Sequence, residues 1–94
     1  MKYENGKYWE SDSATYLWTV YTKDKTCKRG EYAEEIDVIT DKISVAAAKR
    51  VTSQAIEQDY MPGLYPSRVS YWGDVNSLMF LGTSNLSNGG SHEW

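Results

Sequence analysis

The sequence predicts an α+β fold, a mostly antiparallel sheet of about four strands in the order β-β-α-β-β with one helix packed on one face. Three observations predict it. Ser44 to Tyr60 carry apolar side chains at helical spacing, and Ala14 to Thr22 alternate with the period of a strand. The remaining apolar runs are short and bounded by Gly, Pro or Asp. Ninety-four residues hold one small core, with residues 1–82 as a single domain that includes an N-terminal arm and residues 83–94 as a flexible polar tail.

Residues 1–13 alternate rings with charge and contain Asn5-Gly6, a strong turn dipeptide. They read as an irregular arm whose Tyr3, Tyr8 and Trp9 pack somewhere, with a short strand near Lys7 to Glu10 as the alternative. Ala14 to Thr22 form the first clear strand, turning Tyr16, Trp18 and Val20 toward the helix and Leu17 and Tyr21 outward. Lys23 to Gly30 follow as a hairpin connection that holds four of the ten basic residues, Lys23, Lys25, Lys28 and Arg29. Glu31 to Thr40 form the second strand, with Tyr32, Ile36 and Val38 on one face and Glu35 and Asp37 on the other. Glu34 shares parity with the apolar set, which places the start of this strand in solvent.

On the helix, Val45, Ala48, Val51, Thr52, Ala55 and Ile56 fall on one side at about 100° per residue, opposite Lys49, Arg50, Ser53, Gln54 and Glu57. Ser44 is suited to accept from an orphan amide of the first turn, and Met61-Pro62-Gly63 stops the helix. The small residues in the middle of the stripe let the helix approach the sheet closely. Ser67 to Trp72 form the third strand, with Val69 and Tyr71 inward and Arg68, Ser70 and Trp72 outward. Gly73-Asp74 read as a tight turn into a fourth strand, Val75 to Leu81. That strand has Val75, Met79 and Leu81 on one face and Leu78 and Phe80 on the other, so it needs cover on both sides, from the arm or from another chain.

Composition narrows the function classes. The net charge of −3 lacks the basic excess of a general nucleic-acid binder. A single Cys27 excludes an intrachain disulfide, and with the single His92 it falls short of a zinc ligand set, so neither metal nor cofactor is expected. No run reaches the roughly 18 apolar residues of a membrane span, and the first residues do not open a signal peptide, so a cytoplasmic location is expected. The glycines match no phosphate-cradling loop, and no GxSxG elbow is present. Glu34, Glu35 and Asp37 are close enough in sequence to be considered as paired carboxylates, but nothing around them supplies the burial, nucleophile or orienting partner of acid-base catalysis. The expectation is therefore a protein that is not an enzyme and has no catalytic residues.

The stretches YLWTV (Tyr16 to Val20), EEIDVIT running into AAAKRV, and MPGLYPSRV (Met61 to Val69) resemble small phage-encoded host-takeover inhibitors. The nearest in layout are the podovirus inhibitors of bacterial RNA polymerase, and some anti-CRISPR proteins share a similar α+β build. The resemblance implies a protein that works by binding, with strand arginines meeting an acidic host surface. Arg68 is the comparable position, and Ser70 stands where a second arginine would follow.

Three functions remain. The first is a phage-encoded, protein-binding inhibitor that acts on a host protein or complex in the host cytoplasm, through Lys23, Lys25, Lys28, Arg29, Glu34, Glu35, Asp37, Arg68, Trp72 and Phe80. The second is a single-stranded nucleic-acid-binding domain that stacks bases on Tyr21, Trp72 and Phe80 beside the basic loop. The third is a homodimer that pairs the two-sided fourth strand.

Overall fold

The structure, a computed structural model, describes residues 1–77 and the backbone of His92 and Glu93. The elements run β1 (Lys2–Glu4), β2 (Lys7–Trp9), β3 (Tyr16–Lys23), β4 (Glu34–Thr40), α1 (Val45–Gln58), β5 (Tyr65–Asp74) and β6 (His92–Glu93). The strands form one sheet in the order β1-β2-β4-β3-β5-β6. All neighbours are antiparallel except β2 and β4, which run parallel with Tyr8 opposite Val38 and Trp9 opposite Ile39. The α+β class and the helix α1 on one face of the sheet are as expected. The sheet is larger than four strands, and it is mixed.

The main difference lies at the N-terminus, where the irregular arm is replaced by a hairpin and the short-strand alternative holds. Asn5 and Gly6 both adopt positive φ, 55° and 77°. That is the geometry of the tight hairpin turn whose twist matches the flanking strands. β2 then inserts beside β4. The chain continues to track β4 through the Glu10 amide, which donates to the Ile39 carbonyl at 2.9 Å.

The β3–β4 connection runs later than expected. Lys23 still belongs to β3, and β4 begins at Glu34 rather than Glu31. Gly30 takes φ 86°, and the Glu31 amide donates back to the Lys28 carbonyl at 3.0 Å, so these residues close a turn instead of extending. The connection ends where Ala33 donates to the Thr22 carbonyl at 2.7 Å. Buried Thr22 completes the join, its hydroxyl donating to the Glu34 carbonyl at 3.0 Å and accepting from the Glu34 amide at 3.1 Å.

α1 occupies the predicted stretch. Ser44 caps it, the Oγ accepting from the Ala47 amide at 3.2 Å. Its buried residues are Ala47, Ala48, Val51, Thr52, Ala55 and Ile56, so the predicted stripe holds with Ala47 added and Val45 half-buried. The helix ends before Met61. Tyr60 turns to φ 49°, the Met61 amide reaches the Ile56 carbonyl at 3.0 Å, and the Tyr60 amide reaches the Glu57 carbonyl at 3.3 Å. These are the paired bonds of a left-handed helix terminus.

Against the helix pack Tyr8, Trp18, Val20, Ile36, Val38 and Val69, with Tyr71, Met61 and Leu64 at the margin. Trp18 is the largest buried side chain, and its indole N–H donates to Thr40 Oγ1 at 2.9 Å. Tyr16, expected in this set, is half-buried and lies outside it. The N-terminal segment is tied to the helix region at two places. The Tyr8 hydroxyl donates to the Asp59 carboxylate beyond its C-terminus. Glu10 pairs with Arg50 at 2.7 Å and accepts from the Asp41 amide at 2.9 Å.

The C-terminal half departs further from expectation. β5 spans Tyr65–Asp74, so Gly73-Asp74 lie inside a strand instead of forming a turn. Gly73, at φ 137°, absorbs a register shift where β5 passes Leu17 and Trp18. Residues 75–77 are helical, which removes the start of the expected fourth strand; the Asp74 carboxylate accepting from the Asn76 amide at 2.8 Å opens that turn. The rest of that expected strand, with Leu78 and Phe80, lies outside the described residues, as does most of the expected tail. Within the tail, His92 and Glu93 pair with Tyr71 and Ser70.

Candidate functional site

Alternation along β3 sends Trp18 and Val20 to the helix and leaves Leu17, Thr19, Tyr21 and Lys23 for the opposite face. Residues directly across the sheet share that face: Ile39, Asp37 and Glu35 on β4, and Ser70 and Arg68 on β5. This far face divides into two halves with different chemistry.

One half is a small second core. Ala14, Leu17, Ile39 and Val75 are buried together, with half-buried Trp9 and Trp72 packed against them. Part of the N-terminal segment thus covers this half, through Trp9 and not Tyr8, which faces the helix. Trp72 is fixed as well as packed. Its indole N–H donates to Thr19 Oγ1 at 2.8 Å, and the Thr19 hydroxyl donates to Asp37 Oδ1 at 2.7 Å.

The other half is aromatic, and no described helix packs on it. The guanidinium of Arg68 lies 4.6 Å from the centroid of the Tyr21 ring, and Tyr32 meets that ring edge-on at 5.1 Å. The Tyr32 hydroxyl donates to Glu35 Oε1 at 3.2 Å, and the Glu35 carboxylate beside it raises the Tyr32 pKa above its ordinary value. Tyr21, Lys23, Gly30, Glu31, Tyr32, Ser67 and Arg68 line a shallow cleft of ≈190 Å³. Tyr65, directly across from Lys23 and about half exposed, extends the aromatic surface toward the start of β5. A second register shift, where β5 passes Tyr21 and Thr22, adds Ser67 to the cleft wall beside Arg68.

The basic loop stands at the end of this half. Lys25, Lys28 and Arg29 are exposed, and none of them enters an ion pair among the described residues. Asp24 shapes the turn, its Oδ1 accepting from the Thr26 amide at 2.8 Å and from the Thr26 hydroxyl. These bonds hold its carboxyl below the usual range. The Cys27 thiol points to the same oxygen at 3.6 Å. Glu31 accepts from the Lys28 amide at 2.8 Å, closing the other side of the loop.

Of the residues singled out in the sequence, Lys23, Glu35, Asp37, Arg68 and Trp72 share the far face. Lys25, Lys28 and Arg29 border it, and Glu34 sits exposed at the start of β4. Phe80 lies outside the described residues. Strand parity puts Tyr32 with Ile36 and Val38, yet it stands against Tyr21, because the chain is still in the loop at position 32. The sequence assigns no site role to Tyr65 or Ser67; of Leu64 and Tyr65, either of which could cover one end of the core, Leu64 packs on it and Tyr65 is exposed. Tyr21 was placed outward correctly, and the density of tyrosines around it was the available signal.

Among the described residues, no group of three or more His, Cys, Asp or Glu side chains is placed to hold a metal ion. No described helix is long and apolar enough to cross a membrane. No protein-family model matches the chain, and no curated protein or solved structure matches it.

Proposed function

We propose that this chain is a small, non-enzymatic protein-binding module that acts by covering a surface of another protein. One observation carries the reading. Tyr21, Tyr32 and Arg68 line one shallow cleft on the far face, with Tyr65 across from Lys23 at the start of β5. Tyrosine and arginine supply a disproportionate share of binding energy at protein interfaces, because each offers a large, semi-rigid contact area with a polar end. The loop cations beside the cleft add attraction for an acidic partner and speed encounter with it. The resemblance to phage-encoded inhibitors supplies the class of target, a host protein complex in the bacterial cytoplasm that is inhibited or redirected.

The nucleic-acid reading has less support. Arg68 already lies over the Tyr21 ring, and Trp72 is half-buried with its N–H engaged. Glu31, Glu35 and Asp37 would stand near any phosphate chain laid on this face.

The test is affinity capture from bacterial lysate with immobilised parent, a Tyr32→Ala/Arg68→Ala variant and a Gln54→Ala variant on the exposed helix side. The reading predicts a defined set of retained proteins that Gln54→Ala keeps. The double variant binds it at least about thirtyfold more weakly, the loss expected for hot-spot residues of about 2 kcal/mol. Retention unaffected by the double variant, or no specific retention by the parent, contradicts it.

A further inference from the structure

Between β3 and β4 the chain makes two turns in succession, and each one presents cations. The Cys27 amide donates to the Asp24 carbonyl at 3.1 Å, closing a turn with Lys25 at its second position. The Glu31 amide donates to the Lys28 carbonyl at 3.0 Å, closing a second turn around Arg29 and Gly30. Gly30, at φ 86°, stands at the third position, where such turns favour glycine. Asp24 and Glu31 direct their carboxylates onto this backbone, accepting from the Thr26 and Lys28 amides, each at 2.8 Å. Lys25, Lys28 and Arg29 are exposed and enter no ion pair among the described residues. Counting Lys23, the segment sets four cations against two carboxylates, a local positive excess in a chain of net charge −3. Gly30 and Glu31, at the end of the loop, line the same cleft as Tyr21 and Tyr32.

We infer that a carboxylate-rich stretch of a partner protein seats across these two turns, its Asp and Glu side chains meeting Lys25, Lys28 and Arg29. The inference rests on the reading of this chain as a protein-binding module and names the chemistry of the partner. The charges are complementary, and the hydrogen-bonded turns hold the backbone that carries the cations before a partner arrives, which lowers the ordering cost of binding. A nucleic-acid strand fits less well. Its phosphates follow one another without a break, and beyond the loop they meet Glu34 and Glu35 at the exposed start of β4. A protein segment carries its acids over the turns alone and sets uncharged side chains against the rings.

The test is fluorescence anisotropy of three labelled probes titrated with the full chain: a peptide of alternating Glu and Ala, its Gln counterpart, and an oligothymidylate of matching length. The Glu peptide binds in low salt and is released in high salt as the charges are screened. The Gln peptide and the oligothymidylate bind at least about tenfold more weakly. Lys28→Glu/Arg29→Glu weakens the Glu peptide by at least about tenfold, and Lys28→Gln/Arg29→Gln does so in smaller measure. Both residues hold their turn through backbone groups, so circular dichroism of these variants matches the parent. Lys42→Glu/Lys49→Glu makes the same change in net charge on the β4–α1 connection and the helix, and leaves binding within about twofold of the parent. No binding of the Glu peptide, oligothymidylate bound as tightly, or an equal loss in both charge-reversed variants overturns the inference. Those results leave the capture experiment standing, because it reads Tyr32 and Arg68 and not the loop. A parent that binds the Glu peptide while capture is indifferent to Tyr32 and Arg68 keeps the acidic partner and contradicts the cleft as its anchor.

Discussion

Arg68 on β5 lies over the ring of Tyr21 on β3, directly across the sheet from it, and Tyr32 closes on the same ring from the β3–β4 loop. Three side chains from separate segments thus build one surface on the side of the sheet that the helix leaves open. The helix side is committed to the core: Val20, Val38, Ala48, Val51, Ala55 and Val69 are all fully buried there. The division of labour follows from strand alternation, which gives a one-helix sheet a buried face and a face available for contact.

Val51 sits at the centre of the helix–sheet contact and is fully buried. Val51→Asp places an unpaired charge among Ala48, Ala55 and the β-strand valines, a change expected to cost more than about 4 kcal/mol. A thermal melt should show no cooperative native transition. A melt matching the parent would show that the helix buries a different side.

Glu10 makes stability depend on acidity. Burial alone would raise its pKa, but the Asp41 amide and the Arg50 guanidinium outweigh burial and hold it below the usual carboxylate range. A depressed folded pKa contributes stability above the unfolded value of about 4.3, and that contribution is lost as pH falls through the folded value. Urea midpoints of the parent and of Glu10→Gln should therefore differ near neutrality and converge under strongly acidic conditions. A constant gap at all pH values would mean that the Glu10 charge does not act as the contacts indicate.

Tyr60 occupies a left-handed position at φ 49°, and the residue is 83% exposed. A side chain there costs about 1 kcal/mol that glycine avoids, and the greater freedom of glycine in the unfolded chain offsets part of the gain. Tyr60→Gly should raise the melting temperature by a few degrees, the shift that a fraction of a kcal/mol produces in a domain of this size. A lower melting temperature would show that the Tyr60 ring makes a stabilising contact.

The sequence made the helix legible because fourteen helical residues repeat their pattern over several turns, from the Ser44 cap to the end near Tyr60. β3 was legible for the same reason, with Trp18 and Val20 alternating against Leu17 and Tyr21. The N-terminal hairpin was not, because three-residue strands are too short to show a period, although Asn5-Gly6 marked its turn correctly. Its parallel pairing with β4 rests on contacts between residues about thirty positions apart, Tyr8 with Val38 and Trp9 with Ile39, which no local pattern encodes. The candidate surface was legible by charge, through the basic loop and Arg68. It was illegible where it depends on irregular backbone: the turn that brings Tyr32 onto Tyr21 and the register shift beside Ser67.

A binding module of this kind meets its partner through the far face of the sheet, not through the helix. A photo-reactive phenylalanine analogue placed at Tyr32 reports on the aromatic half of the far face, and the same analogue at Gln54 reports on the exposed side of the helix. Irradiation in bacterial lysate should give discrete crosslinked products from position 32 and none from position 54. Products from position 54 alone would contradict the central claim and move the binding surface to the helix.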